Sequence, residues 1–214
     1  MAYVEVGAEF KGQSPSLVLV HGNLSSKEWW HDTLQGLKGY SHHILAVDMR
    51  GFGESTYSKP CERYGDWASD LVAFCGQLKV EKCMVVGWSF GGAITMKFAE
   101  LAPHLVTKVL LVCSMAAHGF KIPKGDGKFC ESREEMKESQ MFNMMNGNIT
   151  SQNVEAVRAP WRMSLFANVP DYPTEKIDMM IKSQFSQRCL LDWFYASASS
   201  DIHLDNIKVP VTEL

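Results

Sequence analysis

Short apolar runs alternating with amphipathic stretches constrain this chain more than any other feature. Ser16-Leu-Val-Leu-Val20, His43-Ile-Leu-Ala-Val47, Met84-Val-Val86 and Val109-Leu-Leu-Val112 read as strands buried on both faces. Between them, Lys27 to Leu37, Tyr64 to Leu78 and Phe90 to Leu101 carry helical patterns, the last stopped by Pro103. Strands that alternate with helices imply an α/β fold: a doubly wound, mostly parallel sheet with right-handed crossovers. With 214 residues, the chain can bury roughly 70% of its unfolded surface, enough for a real core.

From about His118 to Tyr195 the strand pattern stops and helical signals take over. Ser132 is placed to cap a helix, with Glu135 reaching back in a capping box. Ile177, Met180, Ile181 and Phe185 repeat at helical spacing. Met136, Met141, Met144, Met145, Met163, Met179 and Met180 all fall here, with Phe142, Trp161, Phe166, Trp193 and Phe194. Such residues would build an adaptable apolar wall, and the plainer reading is the packed interior of a lid. The expected organisation is therefore a core over residues 1–117, a helical insertion over 118–195, and a return to the core over 196–214. Val209-Pro210-Val211 would start the next strand.

Charge and apolar length exclude several classes of partner. Lys plus Arg number 21 against 24 Asp plus Glu, a net charge of −3, which gives no electrostatic footprint for nucleic acid. No apolar run approaches the roughly 20 residues of a membrane span, and Met1-Ala2-Tyr3-Val4-Glu5 does not open a signal segment. A cytoplasmic protein is expected. Cys61, Cys75, Cys83, Cys113, Cys130 and Cys189 form no C-x-x-C pair, and Cys83 and Cys113 lie beside apolar runs as buried, reduced thiols do.

The sharpest chemical signal is Gly87-Trp88-Ser89-Phe90-Gly91-Gly92, between an expected strand and an expected helix. A serine on such a tight turn is held in strained backbone geometry with its hydroxyl exposed. Small neighbours, here Gly87 and Gly91, let strand and helix approach closely. The helix N-terminus behind Ser89 favours developing negative charge. A G-x-S-x-G arises by chance in roughly one chain of this length in fifteen, so its strand and helix context carries the argument.

Two further stretches complete a resemblance. His21-Gly22-Asn23-Leu24 follows the strand at Leu17 to Val20, and Asp48-Met49-Arg50-Gly51-Phe52-Gly53-Glu54-Ser55 ends another strand. In order and separation the three motifs resemble cap-bearing α/β hydrolases with a serine nucleophile, over about Ser16 to Met115. The resemblance implies that Ser89 attacks and that the backbone N–H groups of Asn23 and Phe90 form an oxyanion hole, typically the largest electrostatic contribution to acyl transfer. It implies a helical cap, Leu24 and Trp88 as substrate contacts, and structural roles for His21 and the 48–55 loop. Asp48 and Arg50 are expected to form a local ion pair.

In this family the acid follows a later strand and the histidine follows the last one. Both positions are expected beyond Leu214, so the last strands and helices are expected to be missing and the chain to be a truncated form of a longer hydrolase. An acid one strand earlier has no support: Cys113, Ser114 and Met115 follow Val112, and the first carboxylate is Asp126. Among His21, His31, His42, His43, His104, His118 and His203, only His118 is expected near the mouth.

The expected function is hydrolysis of an ester, thioester or amide of a small, largely apolar acyl substrate. No metal and no organic cofactor are implied, and G-x-G-x-x-G, Walker and H-E-x-x-H motifs are absent. Acyl transfer, perhydrolysis and C–C cleavage use the same constellation. The rival is a non-catalytic ligand-binding or partner-binding protein that keeps the fold and the elbow.

Overall fold

The computed structural model describes residues 1–125 and 127–214, so Asp126 lies outside the described residues. The strands in chain order are β1 (Tyr3–Val6), β2 (Ser16–Val20), β3 (Ile44–Val47), β4 (Cys83–Trp88), β5 (Val106–Val112), β6 (Pro123–Gly125), β7 (Lys128–Phe129) and β8 (Val211–Glu213). The helices are α1 (His31–Leu37), α2 (Tyr64–Gln77), α3 (Phe90–Leu101), α4 (Arg133–Glu138), α5 (Gln140–Ser151), α6 (Val154–Met163), α7 (Thr174–Phe185) and α8 (Leu190–Ala198).

A six-stranded sheet has the order β1-β3-β2-β4-β5-β8. Its pairings are parallel except that of β1 with β3. Neighbouring side chains on each strand point to opposite faces, and both faces are covered. Val18 and Val20 pack with α2 and α3 through Trp67, Leu71, Phe90 and Ile94. Leu19 between them packs with Trp30 and Leu34 on the other side. Each such side chain contributes about 1.5–3 kcal/mol on burial, so the continuous apolar runs are a requirement of a sheet sandwiched between helices.

Helix α3 is buried from Phe90 to Ala99, which explains why its sequence is apolar nearly all round. It ends where Pro103 disfavours helical geometry at the preceding residue; Ala102 has φ −133° and ψ 59°. Because β3 lies on one side of β2 and β4 on the other, the chain reverses its winding at β2. Ligand crevices open at the carboxyl ends of strands around such a point.

Residues 118–198 depart from an all-helical insertion. Pro123–Gly125 and Lys128–Phe129 pair as an antiparallel hairpin, too short and too exposed to leave an apolar period. The expected single wall is also divided. Phe142, Trp193, Phe194 and Met136 pack into the main core, whereas Trp161, Phe166 and Met180 join a separate cluster with Val157, Ile177 and Ile181. Met144 and Met163 are exposed. The 195 boundary falls inside α8, whose Trp193, Phe194 and Ala196 belong to the main core.

The capping box forms only by half. Ser132 Oγ accepts from Glu135 N at 3.2 Å, but Glu135 Oε2 accepts from Glu131 N at 2.7 Å, one residue earlier than expected. Cys113 is exposed, against expectation, because it stands one residue past β5 with φ 43° and has left the sheet's cover.

Candidate functional site

The loops at the carboxyl ends of β2 and β4 meet at Ser89. Its backbone has φ 52° and ψ −118°, in a region that an L-residue occupies only when its surroundings over-determine it, at about 1–3 kcal/mol. Three hydrogen bonds do so. Ser89 N donates to Val112 O at 3.1 Å, and Ser89 O accepts from Gly92 N at 2.9 Å and Met115 N at 3.0 Å.

Close approach explains the glycines around it. A Cβ on Gly87 would lie 2.4 Å from Gly91 O, and one on Gly91 would lie 2.3 Å from Val20 O. The 21–24 loop rests directly on the elbow, since a Cβ on Gly22 would sit 3.1 Å from Ser89 Cβ.

Ser89 is half-buried, and its Oγ has no hydrogen-bond partner among the described residues. Phe90 opens α3, where an amide has no intrahelical acceptor. Its ring is fully buried among Trp67, Tyr64 and Phe52, at centroid distances of 5.0, 5.8 and 6.0 Å, which fixes the backbone beside Ser89. Neither Asn23 N nor Phe90 N donates to an acceptor among the described residues. Leu24 N, by contrast, is engaged by Gln187 Oε1 at 3.0 Å. Asn23 N and Phe90 N are therefore donors without a partner among the described residues, one in each of the two loops that meet at Ser89.

The other sequence-derived residues divide between two sides. Leu24 packs toward the main core. Trp88 turns to the opposite face and stacks on Trp29 at 4.7 Å. Trp29 continues to Trp161 of α6 at 5.6 Å and donates its Nε1 to Ser183 Oγ of α7 at 3.0 Å. A cavity of about 480 Å³ at the ends of β5 and β8 is lined mainly by apolar side chains, with Ser114 and Glu213. Among the described residues, no group of three or more His, Cys, Asp or Glu is placed to hold a metal ion. No described helix is long and apolar enough to cross a membrane.

His21 is fully buried, and burial lowers its pKa despite the hydrogen bond to the Gly22 carbonyl. Its Nε2 accepts from Met49 N at 3.1 Å and its Nδ1 lies 2.8 Å from Gly22 O, so the neutral ring ties the β2 and β3 loops together. The expected Asp48–Arg50 ion pair is replaced by two others. Asp48 turns inward to accept from Lys27 N (2.7 Å), Lys27 Nζ (2.9 Å) and Glu54 N (2.9 Å), while Arg50 reaches outward to Asp70 of α2. The inward carboxylate makes Gly53 obligatory: a Cβ there, at φ +48°, would fall 2.2 Å from Asp48 Oδ2.

His118 is exposed and makes no hydrogen bond to Ser89. His203 faces Glu100 Oε1 at 3.1 Å. A second serine–histidine–carboxylate series does exist, with Ser16 Oγ 2.8 Å from His43 Nδ1 and His43 Nε2 2.8 Å from Glu5 Oε1. It lies at the amino edge of the sheet, and Ser16 is 2% exposed inside a regular strand, so it ties β1, β2 and the start of β3. Sequence reasoning missed it, and also missed Gln187, because neither carries a local motif.

The chain matches the alpha/beta hydrolase fold over residues 15–144 and belongs to that family. It is 36% identical over 103 residues to the sn-1-specific diacylglycerol lipase ABHD11 of Danio rerio, covering 48% of this chain and 32% of that protein. It is 30% identical over 111 residues to the pimeloyl-[acyl-carrier protein] methyl ester esterase of Aeromonas salmonicida, covering 52% and 42%. The alignments thus span between about a third and two fifths of these curated relatives. Among solved structures, an enol-lactonase from Burkholderia xenovorans matches 99% of this chain and 76% of its own, with TM-score 0.68 and 18% identity. A hydrolase from Pseudomonas aeruginosa matches 99% and 74%, also with TM-score 0.68 and 18% identity. They share the fold.

Proposed function

We propose that Ser89 is the nucleophile of a serine hydrolase that cleaves an ester, thioester or amide of a small, largely apolar acyl substrate. The observation that carries this reading is the left-handed, triply pinned Ser89 at the N-terminus of α3, where the 21–24 loop rests on the elbow. In the proposed reaction Ser89 Oγ attacks the carbonyl carbon, and the carbonyl oxygen becomes an oxyanion that accepts from Asn23 N and Phe90 N. Collapse expels the alcohol, thiol or amine with a proton and leaves an acyl group on Ser89. Water then attacks that group and releases the acid. Helices α4 to α7 serve as the cap in this reading, with Leu24 and Trp88 as substrate contacts. Ester cleavage is the favoured chemistry because relatives include a methyl ester esterase and a diacylglycerol lipase.

The reaction also needs a base for the Ser89 proton, and none of the seven histidines is hydrogen-bonded to Ser89. Complete catalysis therefore belongs to a protein that supplies a histidine and its acidic partner. The same observation favours a second reading, a binding protein that retains the elbow without turnover. Intact-mass spectrometry of the native protein before and after a fluorophosphonate probe separates the two. One adduct, mapped to Ser89 and lost in Ser89→Ala, is the outcome expected of the hydrolase. A protein that takes no adduct, and whose ligand affinity is unchanged in Ser89→Ala, is the binding protein.

A further inference from the structure

We propose that Gln187 is a positioning residue for this site, an inference that rests on the hydrolase reading: it clamps the Asn23–Leu24 turn so that the Asn23 amide stays free and fixed in direction. Leu24 has φ 54°, a left-handed conformation that a side chain bearing a Cβ adopts only when something holds it. The hold comes from Gln187, which is 163 residues away in sequence and almost fully buried. Its Oε1 accepts from Leu24 N at 3.0 Å, and its Nε2 donates to Asn23 Oδ1 at 2.8 Å. One planar amide thus engages two consecutive residues.

The clamp is itself anchored on both sides. Ser186 Oγ accepts from Gly53 N at 2.9 Å, Arg188 N donates to Gly51 O at 2.8 Å, and Arg188 Nη1 donates to Gly53 O at 3.2 Å. Residues 183–188 therefore form a strap from α7 across the two loops at the carboxyl edge, and Gln187 is its contact with the loop beside Ser89.

The division of labour follows from which donor is taken. Gln187 occupies the Leu24 amide and leaves the preceding one, Asn23 N, without a partner and so available to the reacting oxygen. It also occupies Asn23 Oδ1, which would otherwise be free to accept from nearby backbone amides, as short polar side chains do. Without the clamp, Leu24 relaxes toward negative φ and the Asn23 amide loses its direction. Oxyanion stabilisation depends on that direction.

The test compares Gln187→Leu and Gln187→Glu in the native full-length protein with p-nitrophenyl butyrate. Gln187→Leu should lower kcat by about 10- to 100-fold, short of the roughly 100- to 1,000-fold loss of a whole oxyanion donor. KM should hardly move, the melting midpoint should fall by about 2–12 °C for the partners left unpaired, and the rate of fluorophosphonate labelling should fall in parallel with kcat. Gln187→Glu should recover most of the rate, because its carboxylate accepts from Leu24 N and from an Asn23 amide rotated to donate. A kcat in Gln187→Leu within about twofold of wild type would overturn the proposal, as would a loss confined to KM.

Amide hydrogen exchange on the unmodified protein decides the matter if Gln187→Leu does not fold. Slow exchange at Leu24 with fast exchange at Asn23 is expected, and an unprotected Leu24 amide overturns the clamp. Full turnover in Ser89→Ala would instead remove the hydrolase reading, and the exchange result at Leu24 would still stand or fall by itself.

Discussion

Replacing Asp48 with alanine tests the packing beneath the site. Asp48 is completely buried and accepts three hydrogen bonds, two from the amides of Lys27 and Glu54 and one from the Lys27 ammonium. The Lys27 side chain is itself only 6% exposed, and its other partners are exposed carboxylates: Glu54 at 2.7 Å, whose side chain is 78% exposed, and Glu28 at 3.5 Å. Burial alone would lower the Lys27 pKa, but the hydrogen bonds to Glu54 and Asp48 raise it above the ordinary lysine value, so the ion pair persists throughout the neutral range.

Asp48→Ala deprives two amides of their acceptor, that of Lys27 in a buried position, and takes from the ammonium its one buried carboxylate. Removing one partner of such a pair costs about 3–5 kcal/mol, and a chain of this length loses roughly 2–4 °C per kcal/mol, so the melting midpoint should fall by about 6–20 °C. Lys27→Met is the informative contrast. It leaves the carboxylate with both amide donors, so it should cost only about 1.5–3 kcal/mol, the value of a hydrogen bond to a charged group. Urea titrations of both variants give the two free energies. A fall of under about 3 °C in Asp48→Ala, or a larger loss in Lys27→Met than in Asp48→Ala, would refute the reasoning.

Two further outcomes follow from close packing and from exposure. Gly91→Ala places a Cβ 2.3 Å from Val20 O and 2.5 Å from His21 O, and because backbone must move, a loss of about 1–3 kcal/mol or more is expected by urea titration; a neutral substitution would contradict the tight β2–α3 contact. In native protein, iodoacetamide should modify Cys113 first, since Cys61, Cys75, Cys83, Cys130 and Cys189 are buried. Burial also pushes the Cys61 thiol up to about 12 and the Cys189 thiol well above its ordinary value. A second adduct appearing at the same rate, measured by intact mass, would contradict that ordering.

Much of the candidate site is legible in the sequence because its geometry is local. A serine between two glycines, after a strand and before a helix, reaches φ 52° through contacts that lie within a few residues or on the adjacent strand. His21 likewise bonds to the carbonyl of the next residue. Partners chosen across the fold left no such trace. Asp48 and Arg50 are near neighbours in sequence and of opposite charge, yet one pairs with Lys27 and the other with Asp70.

The sequence by itself determined the order of strands and helices up to β5, the position of the elbow and the loops that flank it, because hydrophobic period and glycine spacing are written along the chain. Only the tertiary structure decided that the Leu24 amide is taken while the Asn23 amide is not, where the methionines and aromatic residues of 133–198 go, and that Gln187 lies against Asn23 and Leu24. Those outcomes depend on contacts between separate elements, in the case of Gln187 between segments more than a hundred and sixty residues apart. Such contacts are selected by the shape and donor pattern of the folded surfaces, and a residue's neighbours in the chain carry no record of them.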